Sequence, residues 1–268
     1  MIGGLRRAAL ALLLGLTAQP ATAGDAQLLP LVEEGRYREA AVLARALGDA
    51  ESLALGAGAL SVYGHYVAPE AERRAVVEEA AALARLARSK ESGAAETLQA
   101  LLRFQEGQAL GRLAESLPRD EREPYAEPVR AAFEAALGHD PQRWEAHAGL
   151  ANWHAKVMVT ADDEAGLFGA LGANMLYDAS YEEAEAHRAA AAAIEKRPAD
   201  EKVFLLESAE IRLLLDAEDN AAAARRDLEA SLAIAPPNHL GGIVHKRAET
   251  CLLDLSACAK RLKASVLN

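Results

Sequence analysis

Residues 125–141, YAEPVRAAFEAALGHDP, decide the fold class. Their apolar residues recur at spacings of four and three, which is the stripe of an amphipathic α-helix: Val129, Phe133 and Ala136. We expect Gly138 to end this helix, and the proline three residues later is typical of a helix C-terminus. The stretch therefore predicts a helix with a sharp stop.

The same pattern of stripe and proline occurs twice more, before Pro198 and before Pro236. After the first two prolines a second helix is predicted, over residues 144–157 and 201–216. Each unit is thus a helix, a short turn, a helix and a proline stop. Because one helix pair cannot bury its apolar face alone, we expect neighbouring pairs to stack.

These segments resemble tetratricopeptide repeats. The resemblance is carried by GRYREA at 35–40, by FEAALGHDP at 133–141 and by Leu150-Ala151, and it is best over residues 125–238. It implies an all-α chain, a right-handed α-solenoid of antiparallel helix pairs. It also implies that partners bind on the concave face, and the N-terminal signal pattern described below would make the chain an exported bacterial member of the family.

The predicted organisation has four parts. Residues 1–23 are a signal peptide, and 24–118 are degenerate helical hairpins that include a long helix at 94–116. Residues 119–241 are repeats with an insertion at 158–180, and 242–268 are one C-terminal capping helix. The polar stretch at 117–124, LPRDEREP, is a candidate boundary between the two halves.

The first 23 residues have the order of a secretory signal. Arg6 and Arg7 precede an apolar run at 8–16, and Ala21-Thr22-Ala23 supplies the small residues of a cleavage site. The run is about half of the ~20 residues that span a bilayer, so no stable membrane span is expected after cleavage. The sequence predicts a periplasmic protein, with a secreted protein as the alternative.

Composition excludes several functional classes. The chain has 268 residues, 29 basic and 40 acidic side chains and a net charge of -11, which argues against nucleic-acid binding. Its two cysteines, Cys251 and Cys258, are seven residues apart in a predicted continuous helix. Their Cα atoms would then be about 10 Å apart, too far for a disulfide, so packing positions are expected.

Catalytic motifs are absent from the sequence: it has no HExxH, GxSxG or P-loop pattern. Gly56-Ala57-Gly58 is attributed to close helix packing. His147 and His154 are seven residues apart and cannot chelate one metal ion alone, although His187 on the next helix could join one of them. We expect packing histidines, no metal, no cofactor and no enzymatic activity.

In tetratricopeptide-like proteins the first helix of each pair lines the concave face, and the resemblance assigns this place to the helices that follow the prolines, over residues 144–157 and 201–216. Their side turned away from the packing stripe carries the predicted partner-binding residues: Glu145, Asn152, Lys156, Lys202 and Arg212. Basic residues there would hold a carboxylate of a protein or peptide in the bacterial envelope. The family's carboxylate clamp has a lysine four residues before the asparagine, where this chain has Ala148, so the clamp itself is not predicted.

Residues 160–181 interrupt the repeats with Gly166, Gly169 and Gly172 at every third position. One interpretation is a connector packed on the helices. The other is a lid whose Phe168, Met175 and Tyr177 contact an apolar ligand. Two functions follow: a scaffold or adaptor for a protein partner, or a solute- or lipid-binding accessory protein. An open polar groove favours the first, and a deep apolar pocket under the lid favours the second.

Overall fold

The computed structural model describes residues 23–168, 179–215, 220–236 and 238–267, without the side chains of 23–25, 162 and 164–168. Within these residues there are twelve α-helices and no strand, so the all-α prediction is confirmed. The helices are α1 Ala23–Glu33, α2 Tyr37–Leu47, α3 Ala50–Val62, α4 Glu70–Arg88, α5 Glu96–Glu115, α6 Glu123–His139, α7 Trp144–Phe168, α8 Tyr181–Ala193, α9 Pro198–Leu215, α10 Asn220–Ala233, α11 His239–Leu253 and α12 Leu255–Leu267.

The chain forms two compact units, and the division falls inside α7. Of the described residues, the first unit comprises 23–146 together with 238–240, and the second comprises those of 147–236 and of 241–267. The polar stretch at 117–124 lies within the first unit, where it contains a short 3₁₀ turn at Arg119–Glu121.

Consecutive helices of the first unit pack as antiparallel pairs. Gly107 of α5 lies against Phe133 of α6, and Gly111 lies against Val129, so the two helices run in opposite directions. The centre of the unit is α3, which is buried at every position from 52 to 62. Its sequence has no polar face because α2, α4 and α5 all pack against it.

The turn between α1 and α2 contains Gly35, whose φ of +79° lies in the left-handed region that glycine tolerates. A Cβ at this position would lie 2.6 Å from the ring of His239, which packs over the turn. The phenol of Tyr37 is 3.2 Å from Nδ1 of the same histidine. These contacts explain why 237–240 belong to the first unit.

Close packing at Gly56 is confirmed. A Cβ there would lie 2.6 Å from Cβ of Ala44 and 3.4 Å from Cα of Ala41. We expect Gly56→Ala to destabilise the protein by about 1–2 kcal/mol, because overpacking outweighs alanine's better helix propensity.

The matched control is Gly138→Ala, since Gly138 is also helical but has nothing within 4 Å of its Cβ position. It should stabilise the protein by up to about 1 kcal/mol. Urea unfolding of both variants measures the difference. Equal stability changes would contradict the close approach of α2 and α3.

The second unit also consists of antiparallel neighbours. His147 of α7 contacts His187, and His154, two turns further along α7, contacts Ser180, which precedes His187, so α7 and α8 run in opposite directions. Arg188 of α8 reaches Ser208 of α9. The core of this unit is made of small and branched residues from four helices: Ala151, Ala155, Val159, Ala184, Ile211, Leu214 and Val266.

The second repeat helix is longer than predicted. We expected it to end at residue 157, but α7 continues to Phe168 and so contains the first part of the predicted insertion. No glycine or proline lies between Leu150 and Gly166, so nothing in the local sequence stops the helix. Met175 and Tyr177 lie outside the described residues, and the side chain of Phe168 is also outside them.

The prediction for the cysteines is wrong: Cys251 and Cys258 form a disulfide, with their Cα atoms 5.1 Å apart. The error lies in the assumed continuous helix. The structure ends α11 at Leu253 and begins α12 at Leu255. Asp254 starts the new helix, because its Oδ1 accepts a hydrogen bond from the amide of Ala257 at 2.8 Å.

The predicted signal peptide lies outside the described residues up to position 22, and α1 begins at Ala23. None of the helices in the described ranges is both long and apolar enough to cross a bilayer.

Candidate functional site

An open groove of about 820 Å³ lies in the first unit beside α4 and α5. One wall is α4, the floor is the second half of α5, and residues 117–128 close the third side. The lining residues are Arg74, Glu78, Arg85, Glu106, Leu110, Leu113, Leu117, Glu121, Pro124, Tyr125 and Pro128.

The floor of the groove is apolar because α5 turns three leucines toward it. Leu110, Leu113 and Leu117 are spaced by three and four residues, which places them on one side of the helix and the turn after it. They keep only 5–8% of their surface exposed. Tyr125 and Pro128, at the start of α6, add apolar surface to the side of the groove.

The wall made by α4 is charged because its apolar stripe packs inward on α3. Val76, Val77 and Ala80 are buried, whereas Arg74, Glu78 and Arg85 are exposed. At one end Nε of Arg74 lies 3.0 Å from Glu78 and its Nη2 lies 3.4 Å from Glu121. Two carboxylates therefore surround one guanidinium, and this end is slightly acidic.

The other end of the groove carries one cation and one carboxylate, Arg85 and Glu106. Burial raises the pKa of Glu106, and Nε of Arg88 lies 3.3 Å from its carboxylate. Arg85 lowers the pKa of Glu106 through its charge, but its guanidinium has no hydrogen bond or ion pair with any described residue. Arg85 is thus an exposed cation that can accept a carboxylate from outside the chain.

Lys202 is not on an open face, contrary to the prediction. It is fully buried, and its Nζ donates to the carbonyl oxygens of Ser231 at 2.7 Å and Ile234 at 2.8 Å. These carbonyls lie at the C-terminal end of α10, where the helix leaves acceptors unsatisfied. Nδ1 of His245 lies 3.1 Å from the same nitrogen. Lys202 therefore joins α9 to α10 instead of meeting a partner.

Arg212 lies in an ion-pair network between α8, α9 and α10. Its Nε donates to Oδ2 of Asp227 at 3.0 Å, and the hydroxyl of Ser208 donates to the same oxygen at 2.7 Å. Arg188 donates to Ser208 at 3.2 Å and pairs with Glu185. The predicted partner-binding arginine is thus already held by a carboxylate of its own chain.

The remaining predicted residues are spread over α7. Glu145 is 7% exposed and belongs to the first unit. Asn152 and Lys156 are half-buried in the second unit, one turn apart. Lys202 and Arg212 both contact α10, the first at the Ser231 carbonyl and the second at Asp227.

Three histidines of the second unit, His147, His154 and His187, lie in contact. The sequence predicted that His187 could join one of the other two, and in the structure it contacts both. Nδ1 of His147 lies 3.0 Å from Nδ1 of His187, and the ring of His154 stacks on His187 with centroids 5.8 Å apart. Burial, with the charges of His147 and His154, lowers the pKa of His187 to about 4. Within the described residues no group of three or more His, Cys, Asp or Glu side chains is arranged to hold a metal ion.

The lowered pKa of His187 predicts acid sensitivity. An unfolded histidine binds its proton below about pH 6.5, whereas native His187 binds it only near pH 4. The contribution to stability is therefore complete above pH 6.5 and is lost as the pH falls toward 4. Because the ring is partly exposed, we expect about 1–2 kcal/mol.

Thermal unfolding of the wild type and of His187→Gln at pH 8 and pH 5 measures this contribution. His147, His154 and Glu183 surround the ring and stay in place in the variant. The variant should lose less stability than the wild type between the two pH values. Parallel pH profiles would contradict the shift in pKa.

Sequence reasoning missed the groove, although part of its signal was present. The leucines at 110, 113 and 117 form a stripe just before the polar stretch at 117–124. The sequence does not show that the charges of α4 line a groove, because Arg74 and Glu121 are 47 residues apart and meet only in the folded chain.

Comparisons with known proteins add no relative. No protein-family model matches the chain, and neither a curated protein nor a solved structure matches it.

Proposed function

We propose that the chain is a helical-repeat adaptor that binds a protein or peptide partner and performs no chemistry itself. The observation that carries this proposal is the open groove of the first unit, with its leucine floor and charged wall. This groove replaces the partner-binding site that the sequence predicted, because Lys202 and Arg212 of that site are bound to groups of their own chain. A groove of this kind recognises its partner by shape and charge.

The architecture that we propose is a tetratricopeptide-like right-handed α-solenoid. Antiparallel neighbours in each unit support it, as do the tight contacts of small residues at Gly56 and Gly107. The turn at Gly35, within the stretch GRYREA, adopts the left-handed conformation expected of a tight helix–helix turn.

We propose the periplasm as the compartment, with secretion as the alternative. The N-terminal signal pattern of residues 1–23 supports export. The disulfide between Cys251 and Cys258 adds support, because such bonds persist in oxidising compartments such as the periplasm.

The solute- or lipid-binding alternative has less support. Its lid residues, Met175 and Tyr177, lie outside the described residues. The groove of the first unit is open and partly charged, whereas a lid over an apolar ligand requires an enclosed apolar cavity.

A photocrosslinking experiment in living cells tests the adaptor function. A photoreactive phenylalanine replaces Tyr125 in the groove, and in a control strain it replaces Tyr66, which is also half-buried in the first unit but does not line the groove. We expect a discrete adduct from position 125 only.

N-terminal sequencing of the purified protein tests the proposed export, and the sequence that it reads should start at Gly24.

Equal adducts from both positions, or none, would overturn the groove as the binding site. An intact Met1 on a soluble cytoplasmic protein would overturn the proposed compartment.

A further inference from the structure

We infer that the occupant of the groove is an amphipathic helix whose apolar stripe ends at an acidic residue, and that this residue binds Arg85. The inference rests on the proposed adaptor function and specifies the chemistry of the partner. It is drawn from the shape of the floor, from the residue types in the lining and from the placement of charge.

The residue types that line the groove favour a helical partner over a bound strand or a polyproline segment. Addition of a strand needs a sheet edge, and the described residues contain no strand. A polyproline segment needs an aromatic-lined groove, and among the described lining residues Tyr125 alone is aromatic. A helix lying in an apolar groove is the form that the three leucines of the floor favour.

The floor matches the repeat of an α-helix. Leu110, Leu113 and Leu117 cover about 10 Å along α5, or two helical turns. A partner helix with apolar residues at positions i, i+3 or i+4, and i+7 presents a stripe of the same length. Tyr125 and Pro128 would pack along the side of that stripe.

The charges give the partner helix a polarity. Arg74 is neutralised by Glu78 and Glu121, so a cationic partner residue is favoured at that end. Arg85 lies 11 residues along α4 from Arg74, about 16 Å away. Arg88 lies beside Glu106, which leaves the Arg85 guanidinium to form a bidentate pair with a partner carboxylate.

A charge-reversal cycle with two synthetic probes tests this inference on the mature protein. Each probe is a stapled helix of about 15 residues, four turns, with leucines at i, i+3 and i+7. The first probe has aspartate at one end of the stripe and lysine at the other. The second has lysine at both ends. Fluorescence anisotropy measures the Kd of each for the wild type and for Arg85→Glu.

We expect the wild type to bind the acidic probe about five- to tenfold more tightly than the second probe, and Arg85→Glu to reverse the preference. The matched control is Arg73→Glu, the same change on the same helix at a residue outside the groove, and it should keep the wild-type preference. Circular dichroism of each variant checks that it has folded.

Other outcomes separate the inference from the proposed function. If both probes bind equally and Tyr125→Ala weakens both, the groove binds helices but the pairing with Arg85 is overturned. If neither probe binds while photocrosslinking at position 125 gives its adduct, the adaptor function stands and the helical partner is overturned. If sedimentation shows a dimer that Arg85→Glu dissociates, the occupant is a second copy and the inference fails.

Discussion

Replacing Lys202 with methionine is expected to destabilise the protein by about 3 kcal/mol. The lysine is fully buried, and its ammonium is the donor for the carbonyls of Ser231 and Ile234. Methionine nearly fills the same volume but cannot donate, so two buried acceptors lose a charged donor. The second unit should lose most of this stability, since the lysine joins α9 to the end of α10.

The matched control is Lys260→Met on α12, because Lys260 is exposed. That change should alter the free energy of unfolding by less than about 0.5 kcal/mol. Urea unfolding monitored by circular dichroism measures both variants. If Lys202→Met is as stable as the control, the hydrogen bonds of the Lys202 ammonium to Ser231 and Ile234 do not contribute to the stability of the fold.

The sequence predicted the helices well because each has a strong apolar period or a clear boundary. The first two helical hairpins predicted within residues 24–118 are α1 with α2 and α3 with α4. The long helix at 94–116 is α5, Glu96–Glu115. Its glycines at 107 and 111 are not breaks, because they admit Phe133 and Val129 of the neighbouring helix.

The orientation of α9 could not be predicted from a helical wheel. The wheel assumes one buried stripe over residues 201–216 and assigns other positions, among them Lys202 and Arg212, to an open face. In the structure α9 is packed by α8, α10 and α12. Helices that are covered on several sides bury polar residues with their partners, as Lys202 and Asp200 show.

Two lysines of the second unit donate hydrogen bonds to carbonyl groups at the ends of helices. Lys196 donates to the carbonyls of Ala191 and Ile194 at the end of α8, as Lys202 does at the end of α10. The ammonium of Lys196 also lies 4.3 Å from the centroid of the Phe204 ring. An alanine-rich chain has few side chains that can satisfy such carbonyls, so the rare buried lysines are placed there.

The C-terminal helices show why the sequence spacing of the two cysteines gave a wrong prediction about the disulfide. A separation of seven residues excludes a disulfide only if the helix is unbroken, and the break at Asp254 depends on one capping side chain. That aspartate was visible in the sequence, but a lone Asp within a helical pattern is also common on solvated faces. Tertiary packing of Cys251 and Cys258, both buried, decides between the two.

Loss of the disulfide gives the second large effect. Replacing both cysteines with serine should lower the free energy of unfolding by about 2–3 kcal/mol, since the bridge closes a loop of about eight residues in the unfolded chain. The two serine hydroxyls would also replace buried sulfur atoms, because both cysteines are under 5% exposed. The expected result is a clear fall in the unfolding midpoint with the helical spectrum retained.

Alkylation provides the direct measurement of the bond itself. The native protein, unfolded in urea without reductant, should not react with iodoacetamide, and after reduction it should take up two equivalents. The reduced wild type should then unfold at the same urea concentration as the double serine variant. Two reactive thiols in the unreduced exported protein would contradict the bond between Cys251 and Cys258.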